Sequence, residues 1–315
     1  MTTYQNQQAW KDFQTFLPKE LHFTSDYEPN EEIWNWKENK IHLDTFRNKN
    51  AKAKIICFHG VGSNARQISM IFAGPMAKEG FETISVDMPT YGVTKVNPQM
   101  TISYDDWVQC GSDLIDAELE KDNRPIFLYG LSAGGMETYH VASKNKKVKG
   151  IIGMTFLDQR KSQVRLETTN NAFWAKIGVP LAGIQTKIGL GRRKMKLSTS
   201  SKMWASVNNK RCLDVLLKDE TSAGISVTMK FIHSYMNYQP DIEPKDFNIC
   251  PILLTQPEKD KWSPLHLSDL VLDNISKVKV KKVILRNGSH FPIEKEALED
   301  LHEASLNFIK RELKI

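Results

Sequence analysis

The sequence lacks the features of a membrane-spanning or disulfide-bonded protein. No apolar run approaches 18 residues, so a transmembrane helix is not predicted. The first 17 residues have no basic region followed by an apolar one, which disfavours secretion. The cysteines are scattered without metal-ligand spacing, and we expect reduced structural thiols in a cytoplasmic protein; they are Cys57, Cys110, Cys212 and Cys250.

Motifs for cofactors and metals are missing as well. The chain has no Walker loop, no Gly-x-Gly-x-x-Gly, no Cys-x-x-Cys and no His-Glu-x-x-His. These motifs supply the backbone or side-chain groups that hold phosphates, dinucleotides or metal ions. We therefore predict no cofactor, no metal and no nucleic-acid partner, whereas the oligomeric state stays open.

Charge is unevenly distributed along the chain. The formal net charge is +6, yet residues 156–249 hold 15 Lys/Arg against 8 Asp/Glu, and the remaining residues are close to neutral. Such an excess indicates either an anionic or lipidic partner, including peripheral contact with a membrane, or a solvated basic face without a partner. The run Arg192-Arg193-Lys194-Met195-Lys196 is open to the same two interpretations.

Strand and helix patterns alternate through most of the chain. The unbroken apolar run at 54–58 predicts a buried strand, further strands are predicted at 82–86, 125–128 and 148–156, and alternation resumes with a strand at 251–255. Between them, residues 158–248 read as helices with basic linkers. We predict an α/β fold with a doubly wound, mostly parallel sheet, in which 1–157 and 249–315 form the core and 158–248 form an inserted helical cap, or lid.

The N-terminal region is less explicit. Trp10, Phe13 and Leu17 have helical spacing within Met1 to Leu17, which predicts an amphipathic helix that packs on the body of the protein, with contact to a membrane interface as the alternative. We expect opening strands at 22–24 and 41–43.

The stretch Gly130-Leu131-Ser132-Ala133-Gly134 stands at a predicted strand-to-helix turn. Glycines on either side of the serine remove Cβ atoms that would collide where the two elements cross. The serine hydroxyl is then held out at a helix N-terminus, where free N–H groups favour developing negative charge.

With these elements in order, the chain resembles the α/β-hydrolase fold. Among its branches it is most similar to the serine esterases, monoacylglycerol lipases and serine aminopeptidase-like hydrolases with a helical cap. The resemblance implies that Ser132 is the nucleophile and that His290, after the last strand, is its base. It also implies backbone N–H groups of Val61, in the His59-Gly60-Val61-Gly62 loop, and of Ala133 as the oxyanion hole.

The acid that orients His290 is expected in the loop after the preceding strand. The family pattern, with proline four residues beyond the acid, selects Asp260, although Pro257 stands where the family usually has glycine. Glu258 is the local competitor and Asp158 the distant one, because some relatives take the acid after the sixth strand.

We therefore expect a serine-dependent carboxylic ester hydrolase of esterase, lipase or thioesterase type. Ser132 argues against haloalkane dehalogenases and epoxide hydrolases, which carry aspartate at this position, and the basic excess suits an aminopeptidase poorly. Trp174 and Trp262 are predicted to bind an apolar group of the substrate. A lactonase, an acyltransferase and a non-catalytic ligand-binding relative remain alternatives, and ester, thioester and lactone are not distinguished.

Overall fold

The computed structural model describes residues 3–315, apart from the side chain of Val179, and its centre is an eight-stranded sheet. The strand order is β1-β2-β4-β3-β5-β6-β9-β10, and β7 pairs separately with β8. The bounds are β1 (Asn30–Trp36), β2 (Asn39–Phe46), β3 (Lys54–Phe58), β4 (Glu82–Val86), β5 (Ile126–Gly130), β6 (Gly150–Gly153), β7 (Lys194–Lys196), β8 (Ser226–Thr228), β9 (Ile252–Pro257) and β10 (Val280–Leu285).

Helices flank this sheet and fill the connections. They are α1 (Gln8–Gln14), α2 (Ala65–Ile68), α3 (Gly74–Lys78), α4 (Tyr104–Lys121), α5 (Ala133–Asn145), α6 (Ser162–Thr168), α7 (Val179–Lys187), α8 (Leu197–Ser200), α9 (Lys210–Lys218), α10 (Met229–Asn237), α11 (Leu265–Leu272) and α12 (Lys295–Leu313). Turns of π-helix at Ser69–Ala73 and Trp174–Gly178 lead into α3 and α7. Among residues 3–315, no helix combines the length and the apolar character needed to cross a bilayer.

The sheet is mostly parallel, as predicted. Strands β3, β4, β5, β6 and β9 are buried along their whole length. In β3 and β5 this burial on both faces explains why the apolar run is continuous rather than alternating. In this sheet β2 is antiparallel to both of its neighbours, β1 and β4, and the other described strand pairs are parallel. Because six parallel strands end at one edge, the loops that follow them meet there.

The expectation for the first strand was wrong. Of residues 22–24, Thr24 alone pairs, in an isolated bridge with Tyr27, and the first strand is β1. This strand lies at the sheet edge, and all of its residues except Trp36 are exposed or only partly buried, so it has no apolar run to reveal it. The N-terminal helix does pack on the body, since Trp10, Phe13 and Leu17 are buried; Met1 and Thr2 of that predicted segment lie outside the described residues.

Residues 158–248, here called the intervening segment, connect β6 to its sheet neighbour β9. Most of it is helical, but the basic linker expected around Lys194 is the strand β7, which forms a small antiparallel pair with β8. Arg192 is held by two neutral acceptors: its Nε donates to Thr101 Oγ1 at 3.0 Å and its Nη2 to the carbonyl of Gln99. This arginine therefore ties the intervening segment to the loop before α4.

Candidate active site

Ser132 lies at the tight turn between β5 and α5. Its φ of 56° is in the left-handed region, which a residue with a side chain adopts only under constraint from its surroundings. A Cβ at Gly130 would collide with the carbonyl of Gly134, and one at Gly134 would lie 2.6 Å from the carbonyl oxygen of Phe58. The two glycines thus permit a crossing of strand and helix that holds the serine at the sheet edge.

Ser132, His290 and Asp260 form a hydrogen-bonded row. His290 Nε2 is 2.8 Å from Ser132 Oγ, and His290 Nδ1 is 2.8 Å from Asp260 Oδ2. All three side chains are buried, and each follows the carboxyl end of a parallel strand, namely β5, β10 and β9. The arrangement supplies a hydroxyl, a base within reach of its proton, and a carboxylate that orients the base.

Asp260 is kept ionised by its surroundings. Burial raises the pKa of this carboxyl, but the charge and hydrogen bond of His290, together with hydrogen bonds from Ser263, outweigh burial and leave the pKa below its usual value. The two competing carboxylates are engaged elsewhere: Glu258 accepts from the backbone N–H of Asn287 at 2.7 Å, and Asp158 pairs with Arg160 at 2.9 Å.

Two backbone N–H groups next to the nucleophile, among the described residues, have no acceptor. Within the part of the chain that the structure describes, neither the N–H of Val61 nor that of Ala133 donates a hydrogen bond. A Cβ at Gly60 would lie 3.0 Å from the Cβ of Ser132, so the loop after β3 approaches the serine closely. Free donors at such a position are what a tetrahedral oxyanion requires.

The loop that carries Val61 is fixed from the β4 side. His59 Nε2 accepts from the N–H of Met88 at 3.0 Å, and Nδ1 lies 2.7 Å from the carbonyl of Gly60, which assigns one neutral tautomer. Burial lowers the pKa of His59, in agreement with a neutral ring. The hydroxyl of Tyr91 donates to the carbonyl of Val61 at 2.8 Å.

Asp87 anchors the same region through a buried ionic cluster. It accepts from the N–H of Ala65 at 2.7 Å and from the hydroxyl of Tyr4 at 2.9 Å, and it pairs with His42 at 2.9 Å. Burial lowers the pKa of His42, but its bonds to Asp87 and Glu31 outweigh burial and raise the pKa to about 10. The imidazolium and its partners therefore hold the start of α2, directly after the Val61 loop.

A cavity of about 230 Å³ opens beside Ser132 and Val61 and extends beneath the intervening segment. Both tryptophans predicted to bind substrate line it: Trp262 is buried against the His290 ring and Trp174 is half-buried. No lining residue is charged among those that the structure describes. Sequence reasoning did not identify the remaining apolar walls, which include Leu157, Leu181, Ala182, Met195, Leu197, Val227, Met229, Phe231, Ile232, Tyr235 and Met236.

Comparison with known proteins places the chain in a family. The family model for serine aminopeptidase, S33, matches residues 49–296, which is most of the chain. The chain belongs to this family. It is therefore an α/β hydrolase, as the resemblance of the sequence predicted. No curated protein matches the sequence.

Solved structures of similar fold include two lipases and an esterase. A soluble variant of monoglyceride lipase from Saccharomyces cerevisiae, in complex with a substrate analog, has a TM-score of 0.73 at 16% identity and covers 94% of this chain and 98% of its own. Monoacylglycerol lipase from Paleococcus ferrophilus has a TM-score of 0.63 at 17% identity, and the match covers 89% of this chain and 99% of the lipase. A carboxyl esterase from Bacillus coagulans has a TM-score of 0.69 at 13% identity, and the match covers 90% of this chain and 98% of the esterase. At such identities the likeness establishes the fold alone.

Proposed function

We propose that this family member is a serine-dependent hydrolase of carboxylic esters that forms an acyl-enzyme on Ser132. The observation that carries the proposal is the hydrogen-bonded row from Ser132 Oγ through His290 to Asp260, with separations of 2.8 Å at each step. A hydroxyl is a weak nucleophile until a positioned base removes its proton, and this row provides that base beside two free N–H donors.

The chemistry follows from these groups. Ser132 Oγ attacks the ester carbonyl carbon while His290 Nε2 takes its proton, and the N–H groups of Val61 and Ala133 hold the oxyanion. Collapse of the tetrahedral intermediate breaks the bond to the alcohol, which leaves with the proton from His290. A water molecule, deprotonated by His290, then attacks the acyl-enzyme, and the acid departs as Ser132 regains its proton.

The cavity favours an apolar acyl or alcohol group. Its walls are mainly aliphatic and aromatic, and an uncharged lining offers no carboxylate for the cationic amine of an aminopeptidase substrate. The same lining offers no cation for an anionic group, so the basic excess of the chain does not recognise the buried part of the substrate. A lactonase, an acyltransferase and a non-catalytic relative remain the alternatives to this hydrolase.

We further propose that residues 158–248 act as a cap that presents a lipidic ester from an anionic surface. Five large apolar side chains of one helical stretch are 44–65% exposed at spacings of three and four residues; this outer row is Phe173, Ile177, Leu181, Ile184 and Ile188. Residues 168–213 contain nine Lys/Arg and no Asp/Glu. Exposed apolar side chains among cations suit an interface of anionic lipid, and Leu181 also lines the cavity.

The proposed location remains cytoplasmic. All four cysteines are free and buried, as expected for reduced thiols that contribute to packing. Burial raises the pKa of the Cys57 thiol, which keeps it protonated and unreactive.

Covalent labelling tests the mechanism. A fluorophosphonate is expected to modify Ser132 alone, because this hydroxyl has both a base and oxyanion donors, and mass mapping identifies the site. Ser132→Ala is expected to abolish both labelling and hydrolysis of a panel of esters that differ in acyl-chain length and leaving group. Retention of labelling or of ester turnover in Ser132→Ala would remove Ser132 as the nucleophile, whereas a wild type without labelling or turnover would favour the binding-protein alternative.

A further inference from the structure

Ser263 lies between Asp260 and His290, two members of the hydrogen-bonded row. Its Oγ is 2.9 Å from Asp260 Oδ2 and 3.0 Å from His290 Nδ1, and the residue is fully buried. The backbone N–H groups of Ser263 and Trp262 both donate to Asp260 Oδ1 at 2.8 Å. With His290 Nδ1, four donors occupy the roughly four acceptor sites of the carboxylate.

The hydrogen positions follow from this arrangement. Asp260 is ionised, so His290 Nδ1 must carry the proton that it shares with Oδ2, because two lone pairs 2.8 Å apart would repel. The Ser263 hydroxyl therefore directs its own proton to Asp260 Oδ2, and its lone pair faces the N–H of His290. One carboxylate oxygen thus receives two donors, and the histidine is only one of them.

We propose that Ser263 is a positioning residue that moderates the basicity of His290 through Asp260, an inference that rests on the proposed function. Its hydroxyl fixes the plane of the carboxylate and draws part of the negative charge of Oδ2 away from the imidazole. Without it, His290 would lose a longer contact with a neutral oxygen, but among the described residues it would be the one remaining side-chain donor to Asp260, and the undivided charge of the carboxylate would stabilise the imidazolium more strongly. The base would then be protonated over a wider pH range, so less of it would be active at low pH.

Other charges around His290 are already engaged. On the loop after β9, Glu258 and Lys259 bond to Asn287. Beyond His290, Glu294 accepts from the backbone N–H groups of Ser289 and Ile293. The turn between β5 and α5 contributes Ser132, and the intervening segment contributes the carbonyl of Ser206, which accepts from the N–H of Phe291. Within the described residues, Asp260 is the charged group in hydrogen-bond contact with the ring.

The test measures the pH dependence of the triad in wild type, Ser263→Ala and Ser263→Thr. One readout is the rate at which a small fluorophosphonate modifies Ser132, and the other is the downfield proton NMR resonance of His290 Nδ1–H followed through a pH titration. In Ser263→Ala we expect the acidic midpoint of both profiles to rise by about 0.5–1 pH unit and the plateau labelling rate to fall about tenfold, as for loss of one hydrogen bond to a charged group. Ser263→Thr, which keeps the hydroxyl, should restore the wild-type midpoint.

Ser289→Ala is the matched control. Ser289 is equally buried and adjoins His290, but its hydroxyl bonds to the carbonyl of Phe291 and to Glu294. This variant should lose stability without moving either midpoint. Superimposable profiles for wild type and Ser263→Ala, or an equal shift in Ser289→Ala, would overturn the inference. If Ser263→Ala does not fold, Ser263→Cys, a weaker donor, must show a smaller shift in the same direction.

The two readouts separate the two levels of the proposal. Absence of fluorophosphonate labelling in wild type would overturn the serine mechanism, while the NMR titration would still decide whether Ser263 acts on His290. Normal labelling of Ser132 with unchanged profiles in Ser263→Ala would overturn the role of Ser263 alone.

Discussion

At the carboxyl end of the sheet, Ser132, His290 and Asp260 are each less than one-tenth exposed, whereas the outer row of the intervening segment is 44–65% exposed. The polar groups of the first region are held by specific partners at hydrogen-bond distance, down to the four donors on one carboxylate. The second region has apolar side chains in contact with solvent, and its sequence from 168 to 213 contains cations and no acids. One region is organised around fixed hydrogen bonds, and the other around surface area and charge.

This difference predicts two kinds of response to mutation. Where a single hydrogen bond orients a reacting group, its loss should lower kcat for every substrate, because orientation is required whatever the acyl group is. Where apolar area and charge of one sign act, a change should matter only for substrates that reach the protein through an interface. Mutations in each region test this contrast.

The largest effect is expected from the acid. Asp260→Asn should lower kcat on the order of 10⁴-fold for all esters, because the amide cannot hold His290 in the productive tautomer. Glu258→Gln and Asp158→Asn are the matched controls, since both carboxylates are engaged away from His290. Steady-state kinetics on one short and one long ester would decide. A larger loss in either control would assign the acid elsewhere.

The contrast also explains which parts of the molecule could be predicted from the sequence. Strands 54–58 and 82–86 have in the structure the bounds that the sequence predicts; the first is an unbroken apolar run, as expected for a buried parallel strand, and the second follows from the alternation of strands and helices. The turn that holds Ser132 and the loops after β9 and β10 carry local sequence patterns of the family that the chain resembles. These patterns are why Ser132, Asp260 and His290 could be predicted together as nucleophile, acid and base.

Other features leave no such local signal. Strand β1 is a partly exposed edge strand, and β7 pairs with residues thirty or more positions away, so neither has a recognisable run. In the intervening segment, composition does not say which apolar residues face the cavity and which face solvent: Ala182 lines the cavity, whereas Ile184 belongs to the outer row. A single serine such as Ser263 has no pattern at all, and only its distances to Asp260 and His290 reveal it.

The next largest effect concerns the stability of the region behind the Val61 loop. His42→Gln should lower the free energy of unfolding by about 3–5 kcal/mol, because it leaves buried carboxylates without the imidazolium that compensates them. The pKa of His42 is raised in the folded protein to about 10, from about 6.5 when unfolded, so its contribution is full below pH 6.5 and is lost as the pH rises towards 10.

Urea denaturation at several pH values between 6 and 10 measures both parts of this prediction. Wild type should lose stability across this range, and His42→Gln should lack that component of the slope. His266→Gln serves as the control, because its ion pair with Glu167 is exposed and contributes little. Equal pH slopes for wild type and His42→Gln would show that the cluster is not held by a charged histidine.

A smaller effect is expected where the Val61 loop is held by Tyr91. Tyr91→Phe leaves the carbonyl of Val61 without its donor and should lower kcat about tenfold, with KM nearly unchanged, because the oxyanion donor loses its fixed orientation. Tyr139→Phe removes an equivalent bond, from a tyrosine hydroxyl to the carbonyl of Ile242, outside the site. Its kcat should stay within about twofold of wild type, and a matching fall in both variants would indicate general destabilisation instead.

The smallest effect is expected from the outer row, and it should depend on the substrate. Ile184 is 56% exposed and does not line the cavity, so Ile184→Gln should leave turnover of a short soluble ester unchanged. For a long-chain ester carried in anionic vesicles, the same change should lower kcat/KM and vesicle binding several-fold, because an apolar side chain no longer enters the lipid and only the salt-sensitive attraction of the cations remains. Two other variants serve as controls for the outer row. Ile284→Gln alters a similarly exposed isoleucine on β10 and should change neither assay. Trp174→Ala, which alters the cavity wall, should instead raise KM for long acyl groups even in soluble substrates. If Ile184→Gln reduced turnover of soluble and vesicle-borne esters alike, the outer row would act through the fold of the intervening segment, and the contrast between the two regions would not hold.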